Sequence, residues 1–318
     1  MARRHPILRG LARLTAAVVG LLVIAGALTL LFPDGATSEL TFGNSIGVLK
    51  LTGVLTDGSD AVEALDRLRR RTSTVAVVVR IDSPGGAVAP AQEIYDAIWR
   101  LREANKPVVA SMGTVAASAG YYIASAADVV VASPGTLTGS IGVIMQLPQY
   151  AALAEKLGVS AEVVKTGPYK DSGNPLRPLL PDERLILQGL IDDVLSQFVD
   201  AVAKGRGIEV DKVRAVADGR VFTGAQAHSA GLVDELGGLA DATRIAWERA
   251  GQTGEPRTSE IRTRRRSWWP DLLGGALARL VGEGGPLGRR LLEDALAGGA
   301  DWAAGGGLFA IYPGPVLR

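Results

Sequence analysis

"TVAVVVRIDSPGGAV", residues 74–88, opens with an apolar run, turns at Pro84 and passes two glycines before a helical pattern begins near Ala87. A short run so rich in valine has almost no polar face. It reads as a strand buried on both sides, as in a parallel sheet covered by helices. Four other runs share this character: "IGVLKLTGVL" from Ile46, "PVVASMG" from Pro107, "DVVVASP" from Asp128 and "AEVVKTG" from Ala161. Amphipathic stretches of helix length lie between them, among them "DAVEALDRLRRR" from Asp60 and "AVAPAQEIYDAIWRLREA" from Ala87. The alternation predicts an α/β fold built on a parallel sheet. A longer helix is expected from Pro181 or Asp182, where Leu187, Leu190, Ile191, Val194, Leu195 and Phe198 form one stripe that faces a core or another subunit.

The chain around these elements has 318 residues and is 47% hydrophobic, enough to fill a substantial core. Lys+Arg 34 against Asp+Glu 33 leaves a net charge of +1, so no bulk field favours nucleic acid. With no cysteine, thiolate chemistry, disulfides and cysteine-bound zinc are excluded, and His5 and His228 are too few for a histidine-rich metal site. No motif calls for a cofactor. At the N-terminus, Arg3, Arg4, Arg9 and Arg13 precede the uncharged stretch Leu14 to Phe32. As a helix that stretch is roughly 28 Å long, about the hydrocarbon thickness of a bilayer. The competing reading is a cleaved signal peptide, with Ala25 to Ala27 as the small residues. Because the stretch exceeds the ~7–15 residues of a signal-peptide core, it reads as a retained anchor. The flanking charges put residues 1–36 at the cytoplasmic side and in the membrane, and an α/β domain at 37–250 across it. Residues 251–318 change in composition, with "RTRRR" at Arg262, Trp268 and Trp269, and glycine-rich runs. They read either as a flexible tail or as a segment held at the membrane surface.

Candidate chemistry gathers at the ends of the strands. Gly85 and Gly86 let the backbone turn sharply and bring N–H groups close to a ligand, as stabilisation of an oxyanion requires. Ser118, in "GTVAASAGYY" at residues 113–122, sits among small residues that leave room for a peptide. His228 falls at a surface helical position, so the base for such a serine is sought among Lys156, Lys165 and Lys170. Lys156 lies in an amphipathic helix, Lys165 ends the run from Ala161, and Lys170 follows in a loop. A free lysine is neutral in only about one molecule in 2,500 at pH 7, so a lysine base must be desolvated by other protein. Asp171, adjacent to Lys170, would oppose this unless it pointed aside. Ser140, in "TLTGSIGVI" from Thr136, offers a hydroxyl able to orient a lysine amine.

In order along the chain, "DSPGG", "ASAGYY", "TGSIGV", "KTGPYKD" with "RPLLPDER", and "GRVFTGAQAHSAGLVDELGG" closely resemble the signal peptide peptidase family of bacterial membrane-anchored serine proteases, of the short single-domain, protease IV-like type. The resemblance covers approximately Ile46 to Ala250. It implies a crotonase-like, caseinolytic-protease-like α/β fold. It also implies Ser118 as nucleophile, Lys170 as general base and Ser140 as the orienting hydroxyl, with an oxyanion hole drawn from Gly85, Gly86 and Ala119. It further implies a homo-oligomeric ring with sites shared between protomers, and remnant signal peptides as substrates. The long C-terminus is a departure from the family pattern. Two other readings compete: a crotonase-type acyl-CoA enzyme, for which the sequence offers only Glu93 on a helix surface, and a non-catalytic membrane scaffold.

Overall fold

The computed structural model describes residues 43–261 and, as backbone, the strand Phe309–Ile311. At the centre of the sheet stands β2 (Thr74–Ser83), flanked in parallel by β1 (Ser45–Thr52) and β4 (Val108–Ala117). Between β2 and β4 the chain forms the short β3 (Gly85–Ala87). β4 serves two further neighbours: Val109–Ser111 pairs with β5 (Val129–Ala132), and Val115–Ala117 pairs with β6 (Leu137–Gly139). β7 (Val221–Thr223) runs antiparallel to β6, so the sheet is mixed rather than wholly parallel. Three half-buried residues are too few for an alternating pattern to register in the sequence. β8 (Glu235–Leu236) joins β5, and β9 (Thr258–Ile261) joins β1, so the sheet continues past residue 250.

The valine-rich strands divide their side chains between two cores. Ile46, Val48, Ala76 and Val78 face one way, against Ala242, Ala246 and Trp247 of the helix Leu239–Arg249. Leu49, Leu51, Val77, Val79 and Ile81 face the other, beneath α1 (Ser59–Arg70), α2 (Val88–Glu103) and α3 (Ala119–Ser125). Strand side chains alternate strictly, so two apolar faces require an unbroken apolar run. Helix α1 buries Ala61, Ala64, Leu65 and Leu68, the three-and-four spacing of a single stripe, and turns its charges outward. Each large apolar side chain buried in this way contributes about 1.5–3 kcal/mol.

After β6 the chain leaves the core, forming α4 (Ala151–Lys156) and then no regular element until α5 (Pro181–Arg206). The strand expected from Ala161 is absent. Residues 161–167 pair with no other strand among the described residues, and Val164 is 95% exposed. β-branched residues favour an extended backbone, but a strand exists only through the ladder of a neighbour. The stripe on α5 divides likewise. Phe198 is buried, its ring tilted against that of Tyr122 (4.9 Å between rings), which meets Tyr95 edge-on (5.1 Å), while the Tyr95 hydroxyl donates to the Ala201 carbonyl at 2.9 Å. At the other end of the helix, Leu185, Ile186 and Leu190 are exposed. Helices α6 (Val210–Arg214), α7 (Gly224–Ser229) and α8 (Leu239–Arg249) complete the chain as described. The apolar stretch 14–32 and the arginine and tryptophan segment from residue 262 lie outside the described residues. Among the described residues, no helix is long and apolar enough to cross a membrane.

Candidate active site

Parallel pairing sets Ala117 of β4 opposite Gly139 of β6. The next residue on each strand is a serine, so Ser118 and Ser140 leave adjacent strand ends side by side. Both are buried and both hold positive φ, 55° for Ser118 and 50° for Ser140. Outside glycine such a backbone is uncommon and costs of order 1–3 kcal/mol, so flanking bonds must impose it. The Ser118 N–H donates to the Gly139 carbonyl at 2.8 Å, the Ser140 N–H donates to the Arg220 carbonyl at 2.8 Å, and α3 starts immediately with Tyr122 N–H bonded to the Ser118 carbonyl at 2.8 Å. A sharp turn from strand into helix projects the serine at the carboxyl end of the sheet. Its Oγ is buried and has no hydrogen-bond partner among the described residues.

The glycine turn lies beside it, since Ser83 pairs with Ala116. Gly85 has a φ of 121° and donates its N–H to Ser83 Oγ at 3.2 Å, so that donor is already engaged. On one side of β3, Leu55 N–H donates to the Gly85 carbonyl (2.9 Å) and Ala87 N–H donates to the Leu55 carbonyl (2.7 Å). Strand alternation therefore turns the N–H and carbonyl of Gly86 to the opposite side. A Cβ at Gly86 would lie 2.0 Å from the Leu55 carbonyl oxygen, a backbone atom that cannot swing away. Gly86→Ala is therefore expected to push the turn off Leu55 and to lower the thermal midpoint by several degrees. A thermal melt measures this. Ala119 opens α3, where the first N–H groups have no partner within the helix. Val88, Ala91, Ala119, Tyr122, Val143 and Phe198 line a small apolar pocket next to it.

Along the other side of β3 runs β10 (Phe309–Ile311), antiparallel, with Ala310 opposite Gly86. A short segment of the chain's own C-terminal region thus lies extended along the glycine turn.

Lys170 makes no side-chain hydrogen bond to this cluster. It is exposed, and its amine makes no hydrogen bond or ion pair among the described residues. Lys165, by contrast, is engaged by Asp171 and donates to the Pro168 carbonyl at 2.9 Å. Asp171 does point aside: Arg177 on one edge and Lys165 on the other hold its carboxyl well below the usual carboxylate range. Arg177 bridges from Asp171 to the buried Glu183 near the start of α5. The sequence reading passed over Arg177 and Glu183. Their available signal was a proline at the first helical position followed by a glutamate at the third, whose carboxylate receives the Leu180 N–H at 3.0 Å. His228 and Glu93 are both exposed on helices, and no cluster of potential metal ligands occurs among the described residues.

Sequence comparison assigns this arrangement to a family. The model of Peptidase family S49 matches residues 100–253, and that of Clp protease matches residues 54–136. A putative protease of Synechocystis sp. is 48% identical over 208 residues, covering 65% of this chain and 74% of the relative. The chain belongs to peptidase family S49. A chloroplastic serine protease SPPA of Arabidopsis thaliana is 38% identical over 238 residues, 74% of this chain but 35% of that longer protein. A putative signal peptide peptidase SppA of Enterococcus faecium is 35% identical over 178 residues, 56% of this chain and 52% of the relative. The S49 chain therefore has the α/β fold of Clp-type proteases, with a mixed sheet, and belongs among serine proteases. The S49 match takes in Ser118, Ser140 and Lys170, and the Clp match takes in Gly85 and Gly86.

Proposed function

We propose that the chain is a membrane-anchored serine endopeptidase that cleaves remnant signal peptides and other apolar peptides with a Ser118–Lys170 dyad. The observation that carries this reading is a buried, unpartnered Ser118 Oγ on a strained strand-to-helix turn, next to Ser140 and the glycine turn. Neutral Lys170 takes the proton from Ser118 Oγ as the oxygen attacks the scissile carbonyl. The resulting oxyanion is met by N–H groups from Gly86 and Ala119. Lys170 then passes its proton to the departing amine, leaving an ester on Ser118. Water, deprotonated by the same amine, hydrolyses that ester and regenerates the serine. Ser140 Oγ accepts a hydrogen bond from the amine and holds its lone pair towards Ser118.

Since Lys170 is exposed and Ser118 Oγ has no hydrogen-bond partner among the described residues, the dyad forms between protomers. Almost all the large apolar side chains left exposed among the described residues lie between Ile144 and Leu190, on the stretch that carries Lys170. Such an apolar surface favours a protein contact, which would also strip water from the lysine. The substrate binds as a strand along β3, the place that β10 occupies in the free chain. Residues 14–32 anchor the protein, and the catalytic domain lies outside the cytoplasm. A fluorophosphonate probe tests the reading directly. Labelling is expected in the full chain and is expected to vanish in Ser118→Ala, and an unlabelled wild type would sink it. Removal of residues 309–318 is expected to lower KM for an apolar peptide several-fold with kcat unchanged, because β10 and the substrate compete for the same edge. Steady-state kinetics of the shortened chain measures this.

A further inference from the structure

Lys170 is followed along the chain by a charge cluster that no part of the dyad mechanism uses. Asp171, the next residue, is contacted by Lys165, and it receives Arg177 Nε at 3.0 Å on its carboxylate and Arg177 Nη2 at 3.2 Å on its carbonyl. Arg177 continues to Glu183, with Nη1 to Oε2 at 2.9 Å. Glu183 is fixed in turn: its side chain is 1% exposed and accepts the Leu180 N–H at 3.0 Å and Ser172 Oγ at 3.3 Å. Turns close the backbone on either side of Lys170, with Lys170 N–H donating to the Gly167 carbonyl at 3.3 Å and Ser172 N–H to the Tyr169 carbonyl at 3.1 Å. The loop carrying Lys170 is therefore tied to α5 through Arg177.

We propose that Arg177, braced by Glu183 and assisted by Lys165, is a positioning residue that occupies the carboxylate of Asp171 and leaves Lys170 without a counter-ion on its own loop. This rests on the reading of Lys170 as the base. Lys165 and Arg177 are the charged groups facing Asp171, with Glu183 behind Arg177. Among the described residues none of the four pairs with any other charge. Two cations and two anions cancel, so the cluster as a whole presents no net charge to the neighbouring amine. Arg177 pulls the Glu183 carboxyl down to about 2, so both anions stay ionised and the cancellation holds at neutral pH. Without Arg177 the balance becomes one negative charge, and a nearby opposite charge makes an ammonium hold its proton more firmly.

The test is the pH dependence of kcat/KM for an apolar fluorogenic peptide, measured on the full chain. A lysine base works only when deprotonated, so activity rises with pH along an acidic limb. Arg177→Gln is expected to move that limb up by about one pH unit or more, with the high-pH plateau kept within a few-fold. Adding Asp171→Asn to Arg177→Gln is expected to return the limb to its wild-type position or below. Asp171→Asn alone, which is nearly isosteric and keeps the loop falsifiable should Arg177→Gln not fold, is expected to retain its plateau with the limb unmoved or lower. A uniformly weakened Arg177→Gln enzyme with an unmoved limb would overturn the proposal, as would failure of the double variant to recover or an upward shift in Asp171→Asn. If Lys170→Ala is inactive while Arg177→Gln leaves the limb in place, only the positioning role falls. If Lys170→Ala keeps wild-type activity, the base assignment falls and takes this role with it.

Discussion

Ser118→Ala is expected to lose peptide cleavage by about 10⁴-fold or more, as removal of a nucleophile from a serine hydrolase does. The loss should come without loss of fold. The hydroxyl is buried with no hydrogen-bond partner among the described residues, so alanine removes an unsatisfied polar atom and leaves the surrounding bonds in place. Alanine at this position carries the same backbone strain as serine, because the φ of 55° is imposed by the Gly139 and Tyr122 bonds. The thermal midpoint is therefore expected to stay level or rise. Kinetics and calorimetry on the same preparation separate the two effects. An inactive variant that is also several degrees less stable would mean that Ser118 serves packing rather than chemistry, and an active variant would remove it from the mechanism.

Lys170→Ala is expected to be as inactive as Ser118→Ala, while His228→Ala keeps full activity from its exposed helix. The distinguishing result comes from mixing the two inactive proteins. When each site takes its serine from one protomer and its lysine from the next, a random equal mixture has both groups intact in about one quarter of its sites. Recovery near that fraction of wild-type activity is expected after co-assembly. Mixed assemblies of verified composition that stay inactive would mean that the lysine reaches the serine of its own chain, or that another group is the base. Activity retained by Lys170→Ala would point to Lys165, whose amine is held by Asp171 and the Pro168 carbonyl.

The central strands and first helices were legible because the burial that makes them leaves a local mark. Valine runs without a polar face predicted β2, β4 and β5, and the three-and-four spacing in α1 and α2 predicted their buried stripes. The same logic failed at residues 161–167, where Val163 and Val164 carry strand propensity but no strand runs beside them. It also missed β7, whose three residues take their conformation from the ladder to β6. At the candidate site, residue types and the resemblance carried by the motif order pointed to Ser118, Ser140 and Lys170, and to Gly85, Gly86 and Ala119. They carried no information on which glycine N–H is engaged, on the charge cluster around Asp171, or on the tail strand beside β3.

The order of the motifs and the period of the apolar residues by themselves determined the α/β architecture and the membership of the serine-protease family, because both are local properties of the chain. Only the tertiary structure decided that Ser118 and Ser140 stand together, that Gly86 faces the edge along which β10 runs, and that Lys165 rather than Lys170 is tied down by Asp171. Those facts depend on strand register and on ion pairs that form once the chain has folded, and neither leaves a trace in residue spacing.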